Sequence, residues 1–347
     1  MNNLYTAVSL SLINRKRFVI TTNDVNNLLI EFQSLILQQI CQFDHENIGV
    51  IDLLQHTTIE SLIEATTIKK TTNHGHDFVF KQIIIWKNLQ KLSKSDQNQL
   101  FEFLLQIDNY DTNGKKNLNY CIINDQKIIK PDLLLIIPVL DLQYYKLKLN
   151  QYLKERFTFL INYYYDSSSS RQSIDDINKP DNYPQLIANL RLKLPQVYVA
   201  PDIKRYIYSL VIFTRQHRLC SLSPKETRLS TRSIDEIRLL AQALTLWMNQ
   251  NQQKNLFVTP DFVKISMRRI GYWLVNWEYN DEFTSQSSPE LYKRLYLTIL
   301  VGDWYGSDYN CAEKYIKSFE SKPCKNSPTG YTNKIIEEVL IKTRPPI

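Results

Sequence analysis

The chain has 347 residues, of which 43% are hydrophobic and 12% aromatic, and this composition excludes an intrinsically disordered protein. Its length exceeds the usual size of one compact domain, so we expect a main domain and a smaller second one. The 42 basic and 35 acidic residues give a formal charge of +7. This mild excess is compatible with an anionic partner but is common among ordinary proteins.

Cysteine usage and hydropathy indicate the compartment. The five cysteines are widely spaced without a CxxC pair, which argues against a disulfide framework or a zinc knuckle and favours a reducing compartment. The first charges follow the first apolar stretch, the inverse of a secretory signal, and the most apolar run, residues 128–142, is interrupted by two prolines. We therefore expect an intracellular protein, nuclear or cytoplasmic, that does not engage a membrane.

Five apolar runs in the first half of the chain predict strands. The first, RFVI, is followed by the polar turn TTNDVNN and by LLIEFQSLILQQI at helical spacing. The others are residues 48–52, 78–86, 132–140 and 157–165. After the third strand, apolar residues recur every three or four positions at Leu100, Phe103, Leu104 and Ile107. Strands that alternate with helices predict an α/β fold with a largely parallel sheet.

The composition changes after residue 166. Residues 167–195 are rich in Ser, Asp, Asn and Pro and predict a linker, in which Asp175 and Asp176 are solvating carboxylates. Beyond the linker the pattern is helical: Ile237, Leu240, Leu244, Trp247 and Met248 form one stripe, and Thr-Pro-Asp at 259–261 starts a further helix. We predict a core over residues 1–166, a helical domain over 196–280 and a C-terminal helical extension over 281–347.

Two segments of the core resemble AAA+ ATPases of the MoxR and magnesium-chelatase type. The segment IIIWKNLQKLSKSDQNQLFEFLLQ resembles the Walker B strand and the following helix of that family, with Lys87 and Asn88 at the two acidic positions. The segment RFVITTNDVNNLLIEFQSLI is similar to the strand, phosphate loop and first helix. It contains no glycine, and the lysine position falls near Leu28. A working phosphate loop needs both, because glycine backbone N–H groups and the lysine hold the phosphates.

Later segments extend the resemblance. YLKERFTFLINY resembles the arginine-finger segment and places Arg156 there, while the strand at 132–140 offers no Asn for the sensor 1 role. RLSTRSIDEIRLLAQALTLWMNQNQQKNLFVTPDFVKISMRRIGYWLV resembles the helical lid, with Arg232 at the sensor 2 position. The resemblance implies a AAA+ P-loop-like core with a parallel five-stranded sheet plus a small α-helical lid domain. An ordinary contact of Arg156 with another helix, and a capping role for Arg232, remain open.

Three segments narrow the resemblance to one group. VYVAPDIKRYIYSLVIFTRQHRL, DWYGSDYNCAEKYIKSF and VLIKTRPPI are similar to the fungal maintenance-of-telomere-capping proteins of the second kind. That group implies a role in telomere capping or genome maintenance and a nuclear location. These implications come from the resemblance alone.

The substitutions predict a catalytically inactive pseudo-ATPase. Phosphoryl transfer in this fold needs a carboxylate that supports Mg²⁺, and Lys87 replaces it with a positive charge. We expect no bound ATP or Mg²⁺ and a scaffold that works through protein partners, and the sequence does not predict its oligomeric state. Two alternatives remain: a divergent ATPase or magnesium-chelatase-like subunit, and a DNA-binding protein that uses basic helices of the lid.

Two further groups of residues are candidate sites. A set of basic residues in the lid could bind an anionic partner if they converge, or could be a solvated helix surface. They are Lys204, Arg205, Arg215, Arg218, Lys264, Arg268 and Arg269. We predict that the neighbouring aromatic residues Tyr206, Tyr208 and Phe213 belong to the core. His74 and His76 beside Asp77 have no further His or Cys nearby, so we predict a solvated loop and no metal site.

Overall fold

The structure is a computed structural model that describes residues 2–56, 58–72, 75–108, 119–124, 126–142, 149–164, 180–217, 219–220, 228–250, 256–275, 314–315 and 317–346. The chain forms two compact units, Met1–Pro195 and Gln196–Ile347.

The first unit is built on a five-stranded parallel sheet. Its strands are β1 (Phe18–Thr22), β2 (Ile48–Asp52), β5 (Ile83–Lys87), β8 (Leu135–Asp141) and β9 (Phe159–Tyr163), in the spatial order β2-β5-β8-β1-β9. Every residue of β1 is buried, because helices cover both faces of a parallel sheet and favour continuous apolar runs in its central strands. The predicted α/β fold with a parallel five-stranded sheet is confirmed.

Six α-helices accompany this sheet in the described part of the first unit. They are α1 (Asn2–Asn14), α2 (Val25–Glu31), α3 (Ile59–Thr66), α4 (Lys94–Ile107), α5 (Gln151–Lys154) and α6 (Tyr183–Lys193). The helix α2 continues as a wider π-helix over Phe32–Ile40. The helix α4 starts where the Ser93 hydroxyl accepts a hydrogen bond from the backbone N–H of Asp96, and its predicted apolar stripe is buried.

A second, four-stranded sheet lies beside the first one. It contains β3 (Thr67–Thr72), β4 (Gly75–Phe80), β6 (Tyr120–Ile123) and β7 (Gln126–Ile129), in the order β3-β4-β7-β6. The predicted single strand at 78–86 is wrong, because β4 ends at Phe80 and β5 begins at Ile83 in the other sheet. The Lys81 N–H donates a hydrogen bond to the carbonyl of Thr66, and the chain passes from one sheet to the other at this point. The polar pair Lys81-Gln82 separates the two strands, although apolar residues on both sides of it suggested one strand.

The helix α6 lies within the predicted linker. Asn182 caps it by accepting from the N–H of Gln185 at 3.1 Å, so the Asn and Pro residues that indicated a linker instead start a helix. Tyr183 is buried, and its hydroxyl lies 2.9 Å from the Ser9 hydroxyl of α1. The linker prediction for residues 167–195 is therefore wrong over residues 183–193, while residues 165–179, including Asp175 and Asp176, lie outside the described residues.

The second unit is helical. Its main helices are α7 (Pro201–Gln216), α8 (Arg232–Met248), α9 (Pro260–Leu274) and α10 (Lys334–Lys342). The helix α10 comes from the predicted C-terminal extension, and it packs on α7 and α9 as part of this unit. A Cβ atom added to Gly271 would lie 2.6 Å from the Ile336 side chain, so α9 and α10 are in close contact at this glycine. Of the predicted α8 stripe, Met248 is exposed.

Candidate functional site

The sheet topology identifies one edge of the first unit as a candidate ligand site. The neighbouring strands β1 and β8 connect in opposite directions: the chain leaves β1 for β2 at one edge of the sheet and leaves β8 for β9 at the other. In open α/β sheets, ligands bind outside the carboxyl ends of the strands at such a switch point. Of the sequence-predicted positions, Lys87 ends β5, the neighbour of β8, and Asn88 follows it, so both lie along this carboxyl edge.

The connection between β1 and α2 is very short. Only Asn23 and Asp24 separate the two elements. The Asp24 carboxylate caps the helix, accepting from the backbone N–H of Asn27 at 3.1 Å and from its side-chain amide at 2.6 Å. The Asp24 N–H in turn donates to the Thr22 hydroxyl at 3.2 Å. The positive end of α2 is therefore occupied by a carboxylate of the protein itself.

Leu28 stands at the position to which the resemblance assigned the missing lysine. Its side chain is fully buried on α2, and two residues further along the same helix Ile30 is 66% exposed. The position thus belongs to the hydrophobic core.

The residues at the Walker B positions are tied to the end of β2. The Asn88 amide donates to both oxygens of Asp52, at 2.9 and 3.0 Å, and Lys87 donates to the Asn26 side chain at 3.4 Å. Asn88 adopts the left-handed conformation with φ 62°, which Asn tolerates better than most residues. The Leu54 N–H also donates to Asp52, at 3.1 Å. These contacts connect the end of β2, the end of β5 and the start of α2 to one another.

The pKa of Asp52 reflects these contacts. Burial raises it, but the hydrogen bonds from Asn88 and from the Leu54 N–H, together with the positive charges of Lys87 and Lys91, hold it below its ordinary value. Asp52 is therefore an ionised carboxylate at neutral pH, compensated by its neighbours.

The two arginines taken from the resemblance belong to different units. The Arg156 guanidinium lies over the ring of Phe101, 5.0 Å from its centroid, and so contacts α4. Arg232 is the first residue of α8, and its Nε lies 2.9 Å from an oxygen of Glu236 in the same helix. The Arg156 contact matches the alternative of an ordinary contact with another helix. Arg232 forms an ion pair along its own helix, and the capping role is not seen, because the N-cap is Thr231 and no side chain caps the helix start.

The basic residues of the second unit carry partly compensated charge. Arg205 pairs with Asp202 at 3.1 Å, Lys264 with Asp261 at 3.8 Å, and Arg268 with Glu337 at 2.8 Å. Burial lowers the pKa of Arg269. Lys204 and Arg215 are exposed and take part in no ion pair within the described residues, whereas Arg218 lies outside them.

The aromatic residues of α7 do not all belong to the core. Tyr206 is buried, but Tyr208 and Phe213 are 52% and 48% exposed, so the core prediction is wrong for these two. Ile203, Ile207, Leu210 and Val211 fill the buried side of the helix. A spacing of four residues brings Ile212 beside Tyr208, whereas Phe213, five residues along, lies about 140° round the helix from Tyr208. We call the exposed residues Lys204, Tyr208, Ile212 and Arg215, which lie on one side of the helix, the α7 face.

Sequence reasoning missed three residues of the carboxyl edge. Asp24 had a local signal, because an Asp directly before a helical pattern is a common N-cap. Asp52 and Asn26 had none, because their partners come from β5 and its following turn.

Within the described ranges there is no group of three or more His, Cys, Asp and Glu side chains placed to hold a metal ion. The predicted loop is wrong for His76 and Asp77, because both belong to the strand β4, and His74 is outside the described residues. Across the same part of the chain, each helix is too short or too polar to cross a bilayer.

A solved structure shares this architecture. The crystal structure of a candidate ATPase from Cytophaga hutchinsonii superposes with a TM-score of 0.56, covering 86% of this chain and 89% of that chain at 14% sequence identity. At this identity the likeness shows the fold alone. The chain is thus an α/β protein with a AAA+-type fold.

Curated relatives share part of the sequence. The chain is 24% identical over 220 residues to Maintenance of telomere capping protein 2 of Saccharomyces cerevisiae strain RM11-1a, a match that covers 58% of this chain and 56% of the relative. The protein of that name from Vanderwaltozyma polyspora is 30% identical over 74 residues, or 21% of each chain. The chain thus spans little more than half of the first relative's length. No family model matches it. The resemblance stated from the sequence is confirmed.

Proposed function

We propose that this chain is a non-catalytic AAA+-type protein that acts through protein partners in telomere capping or genome maintenance. The fold and the similarity to proteins named for telomere capping support the setting. The role at telomeres and a nuclear location come to this chain from the relatives' name. The non-catalytic part of the proposal comes from the geometry of the carboxyl edge.

The observation that carries the proposal is the two-residue connection Asn23-Asp24 between β1 and α2. A phosphate loop of the form G-x-x-x-x-G-K-[ST] surrounds the phosphates with successive backbone N–H groups and a lysine. A connection of two residues cannot wrap around a phosphate chain. In addition, the Asp24 carboxylate occupies the helix end at which a phosphate would bind, and it would repel that phosphate.

The metal side of the site supports the same proposal. Mg²⁺ bound with nucleotide phosphates needs carboxylate or hydroxyl oxygens at the strand ends. Lys87 brings a positive charge to the end of β5, and the nearby Asp52 carboxylate is already held by Asn88 and the Leu54 N–H. A cation would have to displace these contacts and overcome repulsion from Lys87.

We propose that the α7 face is the partner-binding surface of the second unit. Exposed Tyr, Phe and Arg residues are enriched in protein interfaces, where large apolar groups form the centre and charged groups the rim. A cavity of about 200 Å³ beside Tyr208, lined also by Ile234 of α8, offers a place for one apolar anchor. Because Lys204 and Arg215 are exposed at the two ends of the face, the expected partner is an acidic, amphipathic helix.

A nucleotide titration of the full chain tests the non-catalytic part. With ATP and Mg²⁺ in equilibrium dialysis, we expect no saturable binding at millimolar nucleotide and no phosphate release. Arg232→Ala should behave like the wild type, since Arg232 contacts Glu236 rather than a ligand. Tight ATP binding that is lost in Arg232→Ala would contradict the proposal.

A pair of variants tests the α7 face. Proteins captured with the full chain from its native source should be identified by mass spectrometry for the wild type, for Tyr208→Ser with Ile212→Ser, and for Met248→Ser as control. Met248 is 66% exposed in the same unit but lies outside the face. We expect the double variant to lose at least one partner with an acidic helix, which then binds the purified wild type directly. Unchanged capture by the double variant would overturn this surface.

A further inference from the structure

A cavity lies at the amino edge of the five-stranded sheet, opposite the edge described above. Its volume is about 690 Å³, and its lining includes Arg15, Gln82 and Leu133, which precede β1, β5 and β8. The end of α1 and one side of α6 complete the wall. A cavity of this size is in the range that holds a small organic ligand.

Two arginines line this cavity, and neither forms an ion pair within the described residues. Arg191 donates from Nε to the carbonyl of Leu12 at 2.7 Å and from Nη1 to the carbonyl of Asp132 at 2.8 Å, and both of these acceptors are neutral. Arg15 is exposed and forms no ion pair within the part of the chain that the structure describes. Arg15 and Arg191 line the same cavity. Burial, then repulsion from Arg15, lowers the pKa of Arg191 to about 10, and the negative charge of Asp132 opposes this shift.

Arg191 has a structural role in the fold, and Arg15 does not share it. Arg191 satisfies carbonyl groups at the end of α1 and before β8, and it thereby holds α6 to the core. Arg15 makes no comparable contact, and the only carboxylate in the lining, Asp132, is exposed. The cavity therefore carries an excess of one positive charge.

The rest of the cavity lining includes apolar side chains and one buried polar atom without a hydrogen-bond partner among the described residues. Leu133 and Leu192 provide apolar surface, and Leu192 is 74% exposed although it borders a concave site. The side-chain oxygen of Asn14 is buried and has no hydrogen-bond partner among the described residues. A buried acceptor without a donor costs free energy, which a ligand N–H or O–H group would recover.

We infer that this cavity binds a small amphipathic organic anion. Its anionic oxygens lie between Arg15 and Arg191, where they relieve the repulsion between two guanidinium groups and accept charge-assisted hydrogen bonds. Its apolar body covers Leu133 and Leu192, and a donor on the ligand bonds Asn14. This site is independent of the proposed function, because it uses the other edge of the sheet and does not require nucleotide binding to be absent.

A pair of fluorescent probes tests the inference on the full chain. 8-Anilinonaphthalene-1-sulfonate carries an anionic head group, and N-phenyl-1-naphthylamine is its neutral counterpart. The informative variant is Arg15→Asn, since Arg15 has φ 54° and Asn tolerates this conformation. Arg15→Lys keeps the charge, and Lys193→Ala removes an exposed charge from α6 outside the lining.

We expect saturable binding of the sulfonate to the wild type, displaced by decanoate but not by decanol. Arg15→Asn should weaken it about tenfold, the loss of one charge-assisted contact. Arg15→Lys should change it less, Lys193→Ala should not change it, and the neutral probe should respond to none of the three. Absence of saturable sulfonate binding in the wild type, or equal loss for both probes in Arg15→Asn, would overturn the inference. Thermal unfolding of each variant separates a lost site from a lost fold.

Discussion

The two edges of the five-stranded sheet differ in how their polar groups are satisfied. At the carboxyl edge, Asp24 caps α2, Asn88 holds Asp52, and Lys87 contacts Asn26. At the amino edge, two guanidinium groups share a cavity without a carboxylate within ion-pair distance in the described residues. Polar groups that already form hydrogen bonds with one another contribute little to the binding of a ligand. We therefore describe the carboxyl edge as closed to ligands and the amino edge as open to them.

The largest expected effect comes from restoring a lysine at the position of Leu28. In Leu28→Lys the ammonium group would be buried in the core, and we expect a loss of about 3–5 kcal/mol in the free energy of unfolding. Ile30→Lys is the matched control, because Ile30 is 66% exposed on the same helix, and it should cost little. Denaturant unfolding of both variants gives the comparison. A stable Leu28→Lys protein that binds ATP would contradict the closed edge.

A smaller effect is expected from the cap of α2. Asp24→Ala removes the acceptor for the Asn27 N–H, and we expect it to cost about 1 kcal/mol of stability. Asp24→Asn removes the charge but keeps a capping oxygen, so its unfolding midpoint should stay near that of the wild type. If the cap is the main role of Asp24, neither variant gains affinity for ATP. ATP binding by Asp24→Asn alone would show that charge, rather than the short connection, closes the edge.

The smallest effect concerns the pH dependence that Asp52 contributes. Its pKa in the folded protein is lowered, so its contribution to stability is present above the unfolded-state pKa and is lost as the pH falls through the folded-state pKa. Asp52→Asn should therefore show a shallower loss of thermal stability on acidification than the wild type. Asn88→Ala should remove part of the same dependence. An unchanged slope in Asp52→Asn would show that the Asp52 contacts contribute nothing to stability.

The sequence predicts the sheet better than it predicts the edges of the sheet. The strand at 48–52 matches β2 residue by residue, because apolar runs and turn residues are local signals. The run at 78–86 conceals a change of sheet, and Asn182 with Pro184 looks like a linker although it starts α6. On α7, aromatic residues lie on both the buried and exposed sides, so residue type alone does not identify the core side.

The candidate site is predictable only in part, because local sequence signals do not identify contacts between residues that are distant along the chain. The positions of Lys87 and Asn88 follow from their register after an apolar strand. Their partners do not, because Asp52 lies 36 residues from Asn88 and Asn26 lies 61 residues from Lys87 along the chain. No sequence motif identifies the arginines of the amino-edge cavity, since Arg15 and Arg191 line the same cavity only because α6 packs against α1.

Amide hydrogen exchange with and without saturating ATP and Mg²⁺ tests the closed carboxyl edge most directly. The informative peptides cover residues 18–31, which include the β1–α2 connection, and residues 83–92, which include Lys87 and Asn88. Because the polar groups of these segments already form hydrogen bonds within the protein, we predict the same protection with and without nucleotide. Increased protection of both segments on addition of nucleotide would contradict the account and identify the edge as a working nucleotide site.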